Sequence, residues 1–429
     1  MSPRAAAVKD EDMSGAAYGT IPLMNKLVRG NGFSAWHVVA GLTFLNLINY
    51  ADRYVFGAVG PSIIRDLNLT DGQFGALGSA FLWGFLLFTP FVGRLVKLAP
   101  RLVILSVSVL GWSLALAGTG IFRAFFVILG LRFLFGAFQS VFTSAAPPAA
   151  KDAVEHKWTA RALSIFFAAI PLGTALGFVG GSLAQKTVGW QMGLLAMGIV
   201  GSAAAFLLFA LPNRRKKVAL KSSWIKDLRA TYVSPTFIWI ALGYAAQTFA
   251  LGAFAFWAPT YIERVFDTPA QTGSLMFGVL IVATGIGGSM VGGWLTDRWG
   301  HGQAIRAAIW VSLWATLIAT PFVIFAFVTS FEWLFYLSMA VAQTALFATF
   351  SPINLAIMGS VPHASSTTAE GSAIFIGRLL GDAISIWLVG VLSDVLNDMR
   401  PAMLVLPLAL AINAALWLKA ARIQHRQKI

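Results

Sequence analysis

The stretch NRRKKVALKSSWIKDLRATYVSP (213–235) is the longest polar interruption in the chain after its first 35 residues, and the most basic. It divides an otherwise nearly continuous succession of apolar runs, six before it and six after. Each run is close to the roughly 20 residues that a helix needs to cross a bilayer's hydrocarbon core. The spans read as 36–60, 72–96, 101–121, 124–150, 161–185 and 189–212, then 236–262, 270–296, 303–329, 331–359, 367–395 and 400–420. The expected fold is an all-α membrane protein with twelve transmembrane helices in two pseudo-symmetric six-helix bundles, 36–212 and 236–420. In the 213–235 linker, Leu220, Trp224, Ile225 and Leu228 suit either the buried side of a surface helix or a solvated connection. Residues 1–35 and 421–429 read as tails.

Composition supports a membrane chain. Of 429 residues 58% are hydrophobic and 11% charged, whereas a soluble protein carries about 25% charged residues. The first 35 residues are polar, with both signs of charge. They lack a short apolar region ending in a small-residue cleavage site, so the first span is expected to serve as the insertion signal. Cytoplasmic loops keep the excess of Lys and Arg. With the N-terminus inside, 23 of the 31 basic residues fall on the cytoplasmic side, Arg65, Arg123, Lys186, Arg264 and Arg400 fall outside, and Arg53, Arg132 and Arg378 lie within spans. Both termini are expected to be cytoplasmic, in the cell membrane (the inner one in a bacterium).

The net charge of +14 is scattered over loops beside a bilayer, which points to anionic lipid headgroups rather than nucleic acid. The absence of cysteine excludes disulfides and thiolate chemistry. His37, His156, His301, His363 and His425 show no ligand spacing, so neither a metal nor a cofactor is expected. No nucleophile with a base, and no cluster of His and carboxylates at one depth, suggests an enzyme.

A repeated element strengthens the two-half reading. The loop after the eighth span reads GGWLTDRWGHG (292–302), and the equivalent place after the second reads GRLVKLAPR (93–101). Gly293-x-Leu295-x-Asp297-Arg298-x-Gly300 resembles the cytoplasmic-loop motif of the major facilitator superfamily. In physical terms the glycine permits close helix approach, while the acid and the arginine pair with charges and helix ends across the interface, latching one conformation. The first-half copy has Lys97 and Leu98 where the acid and arginine belong, so only Gly293, Asp297, Arg298 and Gly300 are read as a gate.

Three further stretches, AAIPLGTALGFVGGSLA (168–184), LGYAAQTFALGAFAFWAPTYIER (242–264) and TAEGSAIFIGRLLGDAISIWLVGVLSD (368–394), resemble the Spinster branch, which includes lysophospholipid and sphingosine-phosphate carriers. NYADR (49–53) is compatible with that branch and is shared with organic-anion symporters. The resemblance implies a secondary carrier working by alternating access on an anionic amphipath such as a lysophospholipid. Organic anions or drugs, or a receptor role on the carrier scaffold, are the alternatives.

An ionisable residue at membrane depth is by default a functional candidate. Asp52, Arg53, Arg132, Arg378 and Asp382 meet that description. Asp52 and Arg53 point about 100° apart on a helix and need separate partners; Arg132 is the expected partner of Asp52. Gln139, seven residues after Arg132, shares its face. Spinster-like carriers resemble this pattern with a glutamate at that position, paired functionally with the first-span aspartate in proton coupling. Gln139 carries no proton, which leaves Asp52 as the titrating group of that half. Arg378 and Asp382, four apart, either pair with each other or leave Arg378 free as a second anion clamp. Glu370 complements a helix N-terminus. Phe56, Phe135, Tyr244 and Trp257 are the aromatics expected to line a cavity, and the Gly173–Gly181 and Gly285–Gly292 series to serve helix packing. Small-molecule or lysolipid substrate, protons and membrane lipids are the expected partners of a monomer.

Overall fold

Helices form where the apolar runs stand. The structure, a computed structural model, describes residues 35–155, 158–207, 224–300, 303–362 and 365–426. The first span is Ala35–Ala58, the second Asp71–Phe88 continued by Val92–Leu98, the third Arg101–Ile121 and the fourth Phe125–Ala153. The fifth is Thr159–Thr187, the sixth Gly189–Leu207, the seventh Pro235–Phe266 and the eighth Ala270–Gly300. The ninth is Ala304–Val328, the tenth Glu332–Phe347 with Phe350–Gly359, the eleventh Ser366–Leu396, and the twelfth Met399–Met403 with Val405–Arg426. Eleven of these are long and apolar enough to cross a membrane by composition. The first has 24 residues, about 36 Å of helix, and Asn46, Asn49, Asp52 and Arg53 dilute its apolar character.

Local chemistry sets the ends. Thr70 and Gln73 form a reciprocal capping box at the start of the second span. Ser234 caps the seventh, with Pro235 at its first position. Asn68, Asp267 and Asn397 end helices in the left-handed conformation at φ 50°, 54° and 52°, which Asn and Asp tolerate best among residues with a side chain. Among the described residues two short helices accompany the spans: Gly60–Leu67 after the first, and Trp224–Val233 before the seventh. The latter covers part of the anticipated surface helix; Leu220 lies outside the described residues.

Packing repeats with a shift of six spans. The first packs on the fifth, the second on the fourth, and the third on the fourth and sixth; likewise the seventh packs on the eleventh, the eighth on the tenth, and the ninth on the tenth and twelfth. Between the halves, the second packs on the eleventh and the fifth on the eighth, two seams that the same shift exchanges. The chain thus forms two pseudo-symmetric six-helix bundles around a central space.

Close approach depends on glycine at named places. Gly173 and Gly177 face the carbonyls of Leu47 and Ala51, which seats the fifth span on the first. Gly84 faces the Phe133 carbonyl and Gly136 the Phe81 carbonyl, locking the second span to the fourth. Gly136→Leu is therefore expected to lower stability by about 1–3 kcal/mol, seen as a lower melting temperature in detergent. Gly130→Ala, with open space around it, should leave the melting temperature unchanged.

The halves are tied together at the end remote from Ala35 and Arg426. Asp71 accepts from Arg264 Nη1 and Nη2 (2.5 and 2.7 Å) and from Ser393 Oγ (2.6 Å). Asp394 accepts from the backbone N–H groups of Asp71 and Gly72 (2.8 and 2.7 Å), capping the second span from the other half. Arg65 pairs with Glu263, and Ser274 Oγ donates to Ala58 O at 2.8 Å. This far end is closed by polar bonds, and the central space opens toward the termini.

Candidate functional site

A cavity of about 700 Å³ lies between the halves, large enough for a ligand of drug or lysolipid size. Toward the termini its walls are Phe167, Met290 and Phe350; at its closed end stand Gly57, Gly78 and Phe256. Met290 lines the cavity and is 71% exposed.

Three guanidinium groups project into this space. Arg53, from the first span, donates from Nε to Gln139 Oε1 at 3.4 Å and lies over Tyr50 and Phe81, 5.1 and 4.9 Å from the ring centroids. Arg132, from the fourth, donates from Nε to Leu77 O at 3.4 Å and sits between Phe56 (4.1 Å) and Phe135 (5.0 Å). Arg378, from the eleventh, lies 4.9 Å over Phe85 of the other half. Aromatic faces attract cations electrostatically, and here they hold the three heads without neutralising them. Arg53 Nη2, Arg132 Nη1 and Arg378 Nε are buried N–H groups without a hydrogen-bond partner. A buried unpaired donor carries a desolvation cost.

Among the described residues Asp382 is the carboxylate that lines the cavity. It pairs with Arg378 across 3.6 Å, and Arg378 also lines the cavity. A π-helical turn at Gly377–Asp382 carries the pair; such turns disrupt the usual backbone ladder. Thr248 Oγ1 donates to Gly377 O at 2.8 Å, and Gly252 leaves the room that the Asp382 carboxylate occupies. With three arginines and one carboxylate on its walls, the cavity carries an excess of positive charge.

Asp52 and Arg132 do not meet. The Asp52 carboxylate points away from the cavity, into the first bundle, and accepts from Trp112 Nε1 at 3.1 Å. The reason is helical geometry: with Arg53 facing the cavity, its neighbour 100° round is turned toward the third span. Gln139 joins the other charged position, accepting from Arg53 and donating from Nε2 to Asn49 O at 3.0 Å. The aromatic expectations also divide. Tyr244 lines the cavity; Phe56 and Phe135 back Arg132 from behind; Trp257 is fully buried and donates to Ile386 O at 2.9 Å. Its neighbour Phe256 takes the wall position.

The loop motif read as a gate makes none of the expected latch contacts among the described residues. Asp297 and Arg298 are exposed; Arg298 lies 5.8 Å over Trp294, and among the described residues neither makes an ion pair. Gly293 and Gly300 have open space around them, and Gly292 makes the close approach instead, against the Ala348 carbonyl. Glu370 is half-buried near the start of the eleventh span.

Sequence reasoning passed over the far-end latch, Thr248 and Gly252. Asp71 carried a signal, an acid just after a capping threonine, but that pattern equally serves a helix dipole. Gly252 carried none, because its role depends on which face of the seventh span meets Asp382.

Residues 42–385 match the model of the Major Facilitator Superfamily. Protein spinster homolog 1 of Bos taurus is 28% identical over 415 residues, covering 90% of this chain and 78% of the relative. A sphingosine-1-phosphate transporter of Danio rerio is 29% identical over 387 residues, covering 84% and 77%. A probable sphingolipid transporter, spinster homolog 2 of Arabidopsis thaliana, is 28% identical over 427 residues, covering 89% and 87%. Among solved structures, a bacterial homologue of the human lysosomal transporter Spinster, inward-facing and unoccupied, superimposes with a TM-score of 0.83 at 19% identity, covering 92% of this chain and 98% of that one. A nucleoside transporter superimposes with a TM-score of 0.74 at 13% identity, covering 89% and 99%. Fold, repeat and sequence agree: the chain belongs to the Major Facilitator Superfamily, as a transporter of the Spinster type.

Proposed function

We propose that the protein carries an anionic amphipath of the lysophospholipid class by alternating access, with both termini in the cytoplasm and the cavity facing inward in this conformation. One observation carries the substrate class: three arginines against one carboxylate line a cavity whose walls are otherwise largely apolar. The donors suit a phosphate, for which arginine geometry is well matched. The phenylalanine and aliphatic walls suit a hydrocarbon chain. Asp382 competes with the incoming anion for Arg378, so binding frees a carboxylate that lies 3.6 Å from its arginine in this state.

Ligand-induced stabilisation of the purified protein tests the class, since a ligand bound to the native state raises the melting temperature. Lysophosphatidylglycerol should raise it, whereas uncharged monoacylglycerol of the same chain and glycerol phosphate should each do so far less. Equal stabilisation by monoacylglycerol would remove the arginines from recognition.

For coupling, we propose that Asp52 acts on the cavity through its chain neighbour Arg53. Asp52→Asn is expected to abolish the pH dependence of uptake without loss of expression. Gln139→Glu places a carboxylate where Arg53 Nε now donates at 3.4 Å, and should increase that dependence. Unchanged pH profiles in both variants would remove this pair from coupling.

A further inference from the structure

Away from the central cavity, the membrane-facing surface of the second half carries a groove between the eighth, ninth and tenth spans. Its floor is made of small side chains, Ala315, Ala340 and Ala345, and its walls of Leu295, Trp299 and Trp314, enclosing about 480 Å³. Trp299 and Trp314 also border a second depression of about 440 Å³ nearer the termini, where Gln303, Arg306 and Trp310 complete the lining. The two share Trp299 and Trp314 as walls, so the apolar groove ends beside a polar head.

Its depth matches one leaflet. From Gln303 to Ile318, both on the lining, the ninth span rises about 22 Å, which is half of a bilayer about 40–45 Å thick including headgroups. Trp299 and Trp310 stand toward the head, as interfacial indoles do. Arg306 is exposed there, bonded through Nη1 to Gln303 Oε1 at 3.4 Å. Among the described residues the head lining carries this one cation and no acid. An apolar groove open to hydrocarbon is filled by hydrocarbon, and a lone arginine at headgroup depth selects a negative headgroup.

We propose that this groove is a binding site for one anionic phospholipid of the leaflet on the termini side, with its phosphate at Arg306 and an acyl chain along Ala345 and Ala340. The site is separate from the transport cavity and does not depend on the substrate assigned to it. Trp299, its shared wall, stands between Arg298 and Gly300, so an occupant lies against the gate loop.

Native mass spectrometry of the full chain, exchanged into equimolar phosphatidylglycerol and phosphatidylcholine of identical chains, tests this. The wild type should retain phosphatidylglycerol about five-fold over phosphatidylcholine, the discrimination expected of one interfacial arginine. Arg306→Ala should retain both equally. Ala345→Trp, and independently Ala340→Phe, should lose the retained lipid of either kind, because each fills the floor. Wild-type preference in Arg306→Ala would overturn the headgroup assignment; undiminished retention in both groove-filling variants would overturn the site. Arg306 is exposed, so its substitution leaves the packing intact and that arm stands even if a groove-filling variant misfolds.

Discussion

Arg132→Ala is expected to weaken binding of an anionic lysolipid by at least about 30-fold, while the melting temperature of the unliganded protein stays close to that of the wild type. The binding loss follows from deleting a desolvated charge that meets the phosphate, for which truncation costs about 2 kcal/mol or more. Stability is spared for a reason specific to this site. Arg132 is 2% exposed, yet the acceptor of its described hydrogen bond is a backbone carbonyl, Leu77 O at 3.4 Å, and among the described residues no carboxylate pairs with it. Removing it leaves no buried acid unpaired, which is what makes the breaking of a buried ion pair so destabilising. Arg132→Lys should recover part of the affinity, because a single ammonium replaces the charge but not the planar fork. Ligand titration and thermal unfolding of the three proteins check this. Equal losses of binding and stability in Arg132→Ala would reduce the residue to a packing role.

Asp71→Asn is expected to shift the protein about ten-fold toward the conformation open at the far end. Asp71 gathers a two-pronged bond from Arg264 and a third bond from Ser393, all across the seam between the halves. Hydrogen bonds to charged groups contribute about 1.5–3 kcal/mol. Arg264 is 37% exposed, and solvent screening places the loss at the lower end, about 1.5 kcal/mol. A two-state carrier converts that difference directly into population. The chain has no cysteine, so spin labels at Lys186→Cys and Leu396→Cys report on the far end without background. Asp71→Asn should enlarge the long-distance population about ten-fold; an unchanged distribution would show that the latch does not hold this state.

Fold and site were legible to different depths. Span number and the two-half repeat follow from apolar run length and the linker at 213–235, because the bilayer imposes a length that sequence displays. The charged residues of the site were also visible, since ionisable groups within apolar runs are rare. Their pairing was not. Whether Asp52 or Arg53 faces the cavity turns on a 100° rotation of the first span, which is set by where Gly173 and Gly177 let the fifth span dock. The far-end latch joins Asp71 to Arg264 and Ser393, 193 and 322 residues apart, and no local pattern encodes such a meeting.

Flux measured in proteoliposomes bears most directly on the carrier reading. Wild-type protein should move lysophosphatidylglycerol saturably across the bilayer, far faster than monoacylglycerol of the same chain length, and Arg132→Ala and Arg378→Ala should each abolish most of that difference. Binding of lysophosphatidylglycerol without protein-dependent flux, or equal flux of the charged and uncharged lipids, would contradict it.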